Sequence, residues 1–224
     1  MTTLSNQYVA GLFDAAAPHY DRSSNPYTVR RRVQALTALA TGDCLEIGGG
    51  TGVVSGGLRA DFILHSDIAP EMCRVAHRKW RVPSVCFDAE TMPFADGSFD
   101  TVISSEMIYY LAQPQRCLAE SFRVLRPGGR MLICTTNPLA SWWEKGRTVL
   151  RRLGVSGMFF DDGSPQFIPL ARLRAMLTAA GFERAEERHI VPLPFGFCDI
   201  INRGLERTPL KHLGLFLIVV AEKP

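Results

Sequence analysis

The sequence lacks any apolar run long enough to cross a bilayer. The longest near its end, Leu215 to Ala221, falls far short of the roughly 20 residues a helical span requires. It has no C-x-x-C pair either: Cys44, Cys73, Cys86, Cys117, Cys134 and Cys198 lie far apart. That spacing argues against a zinc site or a disulfide framework and predicts reduced, mostly buried thiols in a cytoplasmic protein. Charge is scarce as well, with a net +3 over 224 residues. Such an excess gives no electrostatic footprint for nucleic acid. Arg30-Arg31-Arg32 and Arg151-Arg152 read as solvated helix faces. Met1 to Ala10 shows neither the basic start nor the apolar core of a secretory signal. No repeat or low-complexity segment interrupts the chain. Apolar residues make up 46% and charged residues 21%, the composition of one globular domain with a full core.

Two nucleotide-binding patterns are missing from the one glycine-rich stretch, Cys44 to Gly52 (CLEIGGGTG). The dinucleotide pattern G-x-G-x-x-G needs a glycine where Val53 stands, and no Gly-Lys pair follows for a phosphate loop. What stands there is Glu46-x-Gly48-x-Gly50-x-Gly52. It reads as a buried strand, a glycine turn open to a ligand, and a helix start offering unpaired N–H groups. A carboxylate facing this cradle suits a ligand carrying an ammonium better than one carrying a pyrophosphate. A tight turn with no ligand is the alternative.

Around that stretch, strands and helices alternate. Strands are expected at 43–48, 62–67, 82–87, 99–104 and 130–136, with two more from Phe182 to Val191 and from Leu213 to Glu222. Helices are expected at 52–60, 70–80, 90–95, 114–125 and Leu170 to Ala180, and Pro127-Gly128-Gly129 reads as a turn. Before them, Val29, Val33, Leu36 and Leu39 fall at helical spacing. The alternation predicts an α/β fold, a parallel sheet covered on both faces.

Two further carboxylates end predicted strands. Asp67 lies where it can accept both hydroxyls of a ribose. Asp88 opens CFDAETMPFADGSFDTVISSE from its third residue, as a ligand group or as a helix N-cap. With Glu46, the glycines and Arg126-Pro127-Gly128-Gly129, these segments resemble the class I S-adenosylmethionine-dependent methyltransferases over about residues 43–136. Phe13-Asp14 and Tyr20-Asp21 are similar to the N-terminal segment of the quinone-biosynthesis branch, which folds over the cofactor. A solvent-facing entry loop is the other reading of that segment.

The resemblance implies a Rossmann-like, doubly wound, seven-stranded, mostly parallel sheet with helices on both faces and the last strand antiparallel. It implies one methyltransferase domain: an N-terminal helical cap (1–41), a cofactor-binding core (42–136), a substrate-side lid (137–170) and a C-terminal helix with strands (171–224). S-adenosylmethionine would be held by Tyr20, Glu46, Gly48, Gly50, Gly52, Asp67, Ile68, Asp88, Ala89 and Ser104, with Met72 on the adenosine or in the core. Asp88 would accept from the adenine amino group, and the Ala89 N–H would donate to a ring nitrogen. Ser104, Ser105, Glu106, Tyr109 and Tyr110 follow the fourth strand where this fold faces the sulfonium, and Glu106 is the expected base or cation-binding carboxylate, with His19, Tyr20 and His189 as rivals. Tyr109, Tyr110, Trp142 and Trp143 would bind the acceptor. Ser104-Ser105-Glu106-Met107 departs from the Asn/Asp-Pro-Pro-Tyr/Phe motif of amino-methylating enzymes of nucleic acid and some proteins, and no Asp/Asp/Asn metal set appears. The expected activity is methyl transfer to O, N or C of a hydrophobic or aromatic small molecule, without a metal, by a monomer or homodimer. A cofactor-binding protein of the same fold with a different reaction is the alternative.

Overall fold

The computed structural model describes residues 5–137, 168–190 and 198–224. The chain starts with α1 (Asn6–Ala16), where the Ser5 side chain accepts from the Tyr8 N–H at the first turn. A 3₁₀ turn over Tyr20–Ser23 leads to α2 (Pro26–Thr37). Asn25 caps α2 by accepting from the N–H groups of Tyr27 and Thr28, and Pro26 sits in the first turn. Such a cap stabilises a helix by about 1 kcal/mol.

The alternation follows as β1 (Asp43–Ile47), α3 (Val53–Gly57), β2 (Phe62–Asp67), α4 (Pro70–Trp80), β3 (Ser84–Cys86), β4 (Phe99–Ser105), α5 (Pro114–Val124) and β5 (Leu125–Thr136). It closes with α6 (Leu170–Ala179), β6 (Glu183–Ile190), α7 (Asp199–Leu205) and β7 (Phe216–Glu222). The seven strands form one sheet in the order β3-β2-β1-β4-β5-β7-β6. Only β7 runs against its neighbours, antiparallel to both β5 and β6. This is the Rossmann-like sheet expected, reversed strand included.

Strand periodicity divides the core between the two faces. Val102, Met131 and Ile133 point to the side where α5 and α6 supply Leu118, Val124, Leu173 and Leu177. Ile103, Leu132 and Cys134 point to the side covered by Leu36 of α2. Full burial of one such aliphatic side chain contributes about 1.5–3 kcal/mol. Chain order reverses between β1 and β4, and ligands of open α/β sheets bind beyond the carboxyl ends of strands at such a switch point.

Local expectations fail in four places. No helix forms at 90–95. Pro93 removes one donor, and neighbours take the rest: Met92 N–H donates to Glu120, and Arg123 donates to the carbonyls of Met92 and Phe94. The helix expected at 52–60 stops at Gly57, consistent with two consecutive glycines. The third strand keeps only Ser84–Cys86, because the Val82 carbonyl is taken by His77 and by Ser84 Oγ. Pro127-Gly128-Gly129 lies inside β5, at a register shift opposite Phe99 and Thr101. The Gly128 N–H and Gly129 carbonyl there bond Lys223. The aromatics Trp142, Trp143, Phe159 and Phe160, and Leu193, Phe195 and Phe197 of the apolar 191–201 stretch, lie outside the described residues.

Candidate active site

The turn after β1 is shaped by three left-handed glycines, Gly48 (φ 60), Gly50 (φ 56) and Gly52 (φ 75). Their reasons differ. A Cβ on Gly48 would fall 2.2 Å from Met107 Cγ, whereas at Gly50 the nearest atom would be Tyr20 Cε1 at 3.7 Å. At Gly52 a Cβ would fall 2.7 Å from the Cβ of Ala76, so this glycine lets the turn pack on α4. Gly52 therefore leaves the ligand wall, and Gly48, Gly49, Gly50 and Thr51 line it.

Backbone bonds tie the turn to the end of β2. Gly49 N–H donates to the Ser66 carbonyl, and Gly50 N–H donates to Asp67 Oδ2 at 2.8 Å. The other Asp67 oxygen accepts from the Ala69 N–H. Burial raises the Asp67 carboxyl to about 6, against the lowering effect of these N–H groups. His65, unremarked in the sequence, pins the turn from beneath. Its Nε2 is 3.0 Å from the Gly50 carbonyl, so that nitrogen carries the proton. Burial lowers its pKa to about 4 and keeps the ring neutral.

Glu46 is buried at the end of β1, where its Oε2 accepts from both the N–H and the Oγ–H of Ser55. Burial raises its pKa to about 7; the Ser55 bonds and, more weakly, Arg32 act in the opposite direction. Asp88 follows β3 with Oδ1 accepting from the Glu90 N–H and Oδ2 from Asn6 Nδ2 at 2.6 Å. Its N-cap geometry is present without a helix to cap.

These groups face one cavity of about 310 Å³, which also takes in Asn6, Val9, Phe13 and Tyr20 from the N-terminal segment. That volume is in the range of small-molecule sites. Phe13 packs edge-on against Tyr20 (6.0 Å) and Tyr110 (5.1 Å). Asp14 accepts from the Glu71 N–H at the start of α4, and Asp21 from Thr51 Oγ1 and Lys79. The N-terminal segment thus covers the cavity instead of facing solvent as an entry loop.

A second stretch of the wall is built after β4. Glu106 adopts φ 58, a left-handed conformation that costs a non-glycine residue roughly 1–2 kcal/mol. Its N–H donates to the Cys134 carbonyl, and its Oε2 accepts from Thr136 Oγ1 at 2.6 Å and Tyr109 OH at 3.0 Å. Arg32 reaches the same wall from α2, with Nη1 3.4 Å from Ser105 Oγ and the guanidinium 5.0 Å above the Phe216 ring. Among the described residues it forms no ion pair, and its Nε is buried without a partner. Arg32 and Thr136 were not recognised in the sequence. Their partners Ser105, Phe216 and Glu106 lie too far along the chain for any local pattern to link them.

Of the remaining expected residues, Ile68, Ala89, Tyr109 and Tyr110 line the cavity. Ser104 does not: it is buried, its Oγ has no hydrogen-bond partner among the described residues, and Ser105 lies on the wall instead. Met72 is fully buried beside Ala17 and Ala69, so it belongs to the core. His19 is exposed and absent from the wall. His189 also lies off the wall, with Nε2 3.2 Å from His212 Nδ1. Burial and His212 hold its pKa below the ordinary value. Trp142 and Trp143 lie outside the described residues.

The charges fit a zwitterion with an added nucleoside. Arg32, without an ion pair among the described residues, and the buried carboxylate of Glu46 match adjacent carboxylate and ammonium groups. Carboxylates at the ends of β2 and β3 offer acceptors to hydroxyl and amino donors.

A family described as a methyltransferase domain matches residues 45–133. The demethylmenaquinone methyltransferase of Clavibacter sepedonicus is 32% identical over 208 residues, covering 81% of this chain and 85% of that protein. The biotin biosynthesis bifunctional protein BioCD of Bordetella avium (strain 197N) is 30% identical over 200 residues; the match covers 84% of this chain but only 41% of that longer protein. A solved S-adenosylmethionine-dependent methyltransferase of Thermotoga maritima, described as a possible histamine N-methyltransferase, superposes with a TM-score of 0.74. The match covers 96% of this chain and 100% of that one, at 19% identity.

Proposed function

The chain belongs to the class I S-adenosylmethionine-dependent methyltransferases, and on that premise we propose that it methylates an oxygen, nitrogen or carbon atom of a hydrophobic or aromatic small molecule. Its place would be in the biosynthesis of a quinone, a lipid-linked compound or a secondary metabolite. One observation carries this reading: a single cavity is lined by Glu46, Asp67 and Asp88 together with Glu106, Tyr109 and Tyr110. In this reading Glu46 takes the cofactor's ammonium and Arg32 its carboxylate. Asp67 accepts from the ribose hydroxyls, and Asp88 with the Ala89 N–H reads the adenine. Gly50 lets these groups approach the backbone and Gly48 makes room for Met107 behind the wall, while Ile68 and Tyr20 supply apolar contact. The bound cofactor supplies an activated methyl group on a sulfonium.

What the chain must add is position and a proton acceptor. Glu106 serves as that base, held on one oxygen by Thr136 and Tyr109. Tyr109 and Tyr110, with rings 4.8 Å apart, supply an aromatic wall for the acceptor. Incubation with cofactor labelled in its methyl group tests the reading, using reduced demethylmenaquinone first and then other apolar phenols and acids. Label recovered in an organic product supports it. Cofactor binding without label transfer to any acceptor would favour a protein of this fold with another reaction.

A further inference from the structure

The short helix α7 is amphipathic in the reverse sense. Its buried residue is polar: Asn202 is 0% exposed and donates to the Tyr27 hydroxyl at 2.7 Å. Asp199 accepts from the same hydroxyl, and Arg31 of α2 donates to both carboxylate oxygens of Glu206. Arg31 also lies 3.5 Å from Asp199, whose Oδ2 accepts from Arg203 Nε one turn along α7 at 3.0 Å. The two isoleucines face out instead, while Leu205 is half-buried. Ile200 is 86% exposed, Ile201 54%, and Leu210 on the following 3₁₀ turn (Pro209–Leu213) 51%. A helix packed on its own protein through polar groups, with isoleucines toward solvent, is arranged for a second apolar phase.

The charge around these residues names that phase. With Asp199 shared between Arg31 and Arg203 and Glu206 engaged by Arg31, the cations nearby still outnumber the acids: Arg207 and Lys211 follow in the same stretch. Arg30 lies exposed over the Tyr27 ring. Isoleucine and leucine flanked by long cations suit the headgroup boundary of an anionic bilayer, where apolar contact and electrostatic attraction act together. Among the described residues no helix is long and apolar enough to cross a membrane. Contact at the surface is the mode that fits.

We propose that α7 and the 3₁₀ turn after it dock this protein on anionic lipid surfaces through Ile200, Ile201 and Leu210. The face is linked to the cavity at both ends. Tyr27, its anchor on α2, precedes Thr28 of the cavity wall, and the 3₁₀ turn leads to Leu215 and Phe216 of that wall. Docking therefore brings the cavity close to lipid, so that an acceptor dissolved in the bilayer can reach it. That consequence, unlike the docking, rests on the apolar acceptor proposed above.

Sedimentation of the full chain with vesicles tests the docking, using phosphatidylcholine alone or with about one third phosphatidylglycerol. The wild type should sediment with the anionic vesicles and be released at high salt. The pair I200E/I201E, and separately R207E/K211E, should lower partitioning about tenfold or more. S-adenosylhomocysteine affinity by calorimetry should stay unchanged in both, showing that fold and cavity are intact. Failure of the wild type to bind anionic vesicles, or equal binding by I200E/I201E, overturns the proposal. So does a dimer by light scattering that I200E/I201E dissolves, because the face would then belong to a second copy of this chain.

Discussion

The two sides of the cavity are built by different means. On the cofactor side, each carboxylate accepts from backbone N–H groups or a serine within 17 residues, Glu46 from Ser55, Asp67 from Gly50 and Ala69, Asp88 from Glu90, and only Asp88 adds a distant donor, Asn6. On the acceptor side, contacts cross the sheet: Thr136 to Glu106, Arg32 to Ser105, Arg32 to Phe216. The first side is a property of strand ends and the turns that follow them. The second exists only because β5, β7 and α2 converge over β4. The difference suggests that the cofactor side is common to the fold, while the acceptor side distinguishes this chain.

The largest test of that separation is Glu106→Gln. Turnover with an accepted substrate should fall about 10²–10⁴-fold, as expected for loss of a general base, with S-adenosylhomocysteine affinity unchanged. A matching loss of affinity in calorimetry would merge the two sides into one. Asp67→Ala should act on the other side, weakening S-adenosylhomocysteine by ~2–4 kcal/mol through lost ribose acceptors and a released Gly50 N–H. Unchanged binding there would remove Asp67 from the cofactor. Arg32→Met sharpens the boundary, since Arg32 arrives from the acceptor-side scaffold yet is assigned to the cofactor's carboxylate. Its loss should weaken S-adenosylhomocysteine about tenfold or more. If calorimetry shows no change while turnover drops, Arg32 serves the acceptor instead.

A smaller effect follows from pH. With the Glu46 carboxyl raised to about 7, much of it is protonated in the ligand-free protein at pH 6. An ammonium favours the ionised form, so cofactor affinity should rise about tenfold from about pH 6 to 8 and then level. Glu46→Gln should flatten that rise, and a slope that persists would place the titrating group elsewhere. Folding carries the opposite sign. Glu46 and Asp67 titrate above their ordinary values in the fold, so their contribution to ligand-free stability declines as pH rises from about 4 toward 7. His65, lowered to about 4, favours the fold in its neutral form, and its contribution is lost as pH falls below 6.5. The smallest effect is expected from Asn6→Ala. Removing the donor on Asp88 Oδ2 should leave that oxygen to the adenine and tighten S-adenosylhomocysteine up to about threefold. Weaker binding in calorimetry would mean that Asn6 orients Asp88 for the ligand.

By itself the sequence determined what is local or periodic. Alternating apolar runs specify the α/β sheet, and Glu46 with its glycines, Asp67 and Asp88 mark three strand ends, because an acid ending a strand before a turn is a short-range pattern. Where local reading failed, distant groups had intervened. Glu120 and Arg123 hold 90–95 out of a helix, and Ala76 rather than a ligand requires the smallness of Gly52. Only the tertiary structure decided that Ser105 rather than Ser104 faces the cavity, since successive residues of a strand point to opposite sides. It alone joined Thr136 to Glu106, 30 residues apart, and divided Arg30, Arg31 and Arg32 among surface, ion pair and cavity. No spacing rule encodes contacts made by strands that meet side by side after a long excursion of the chain.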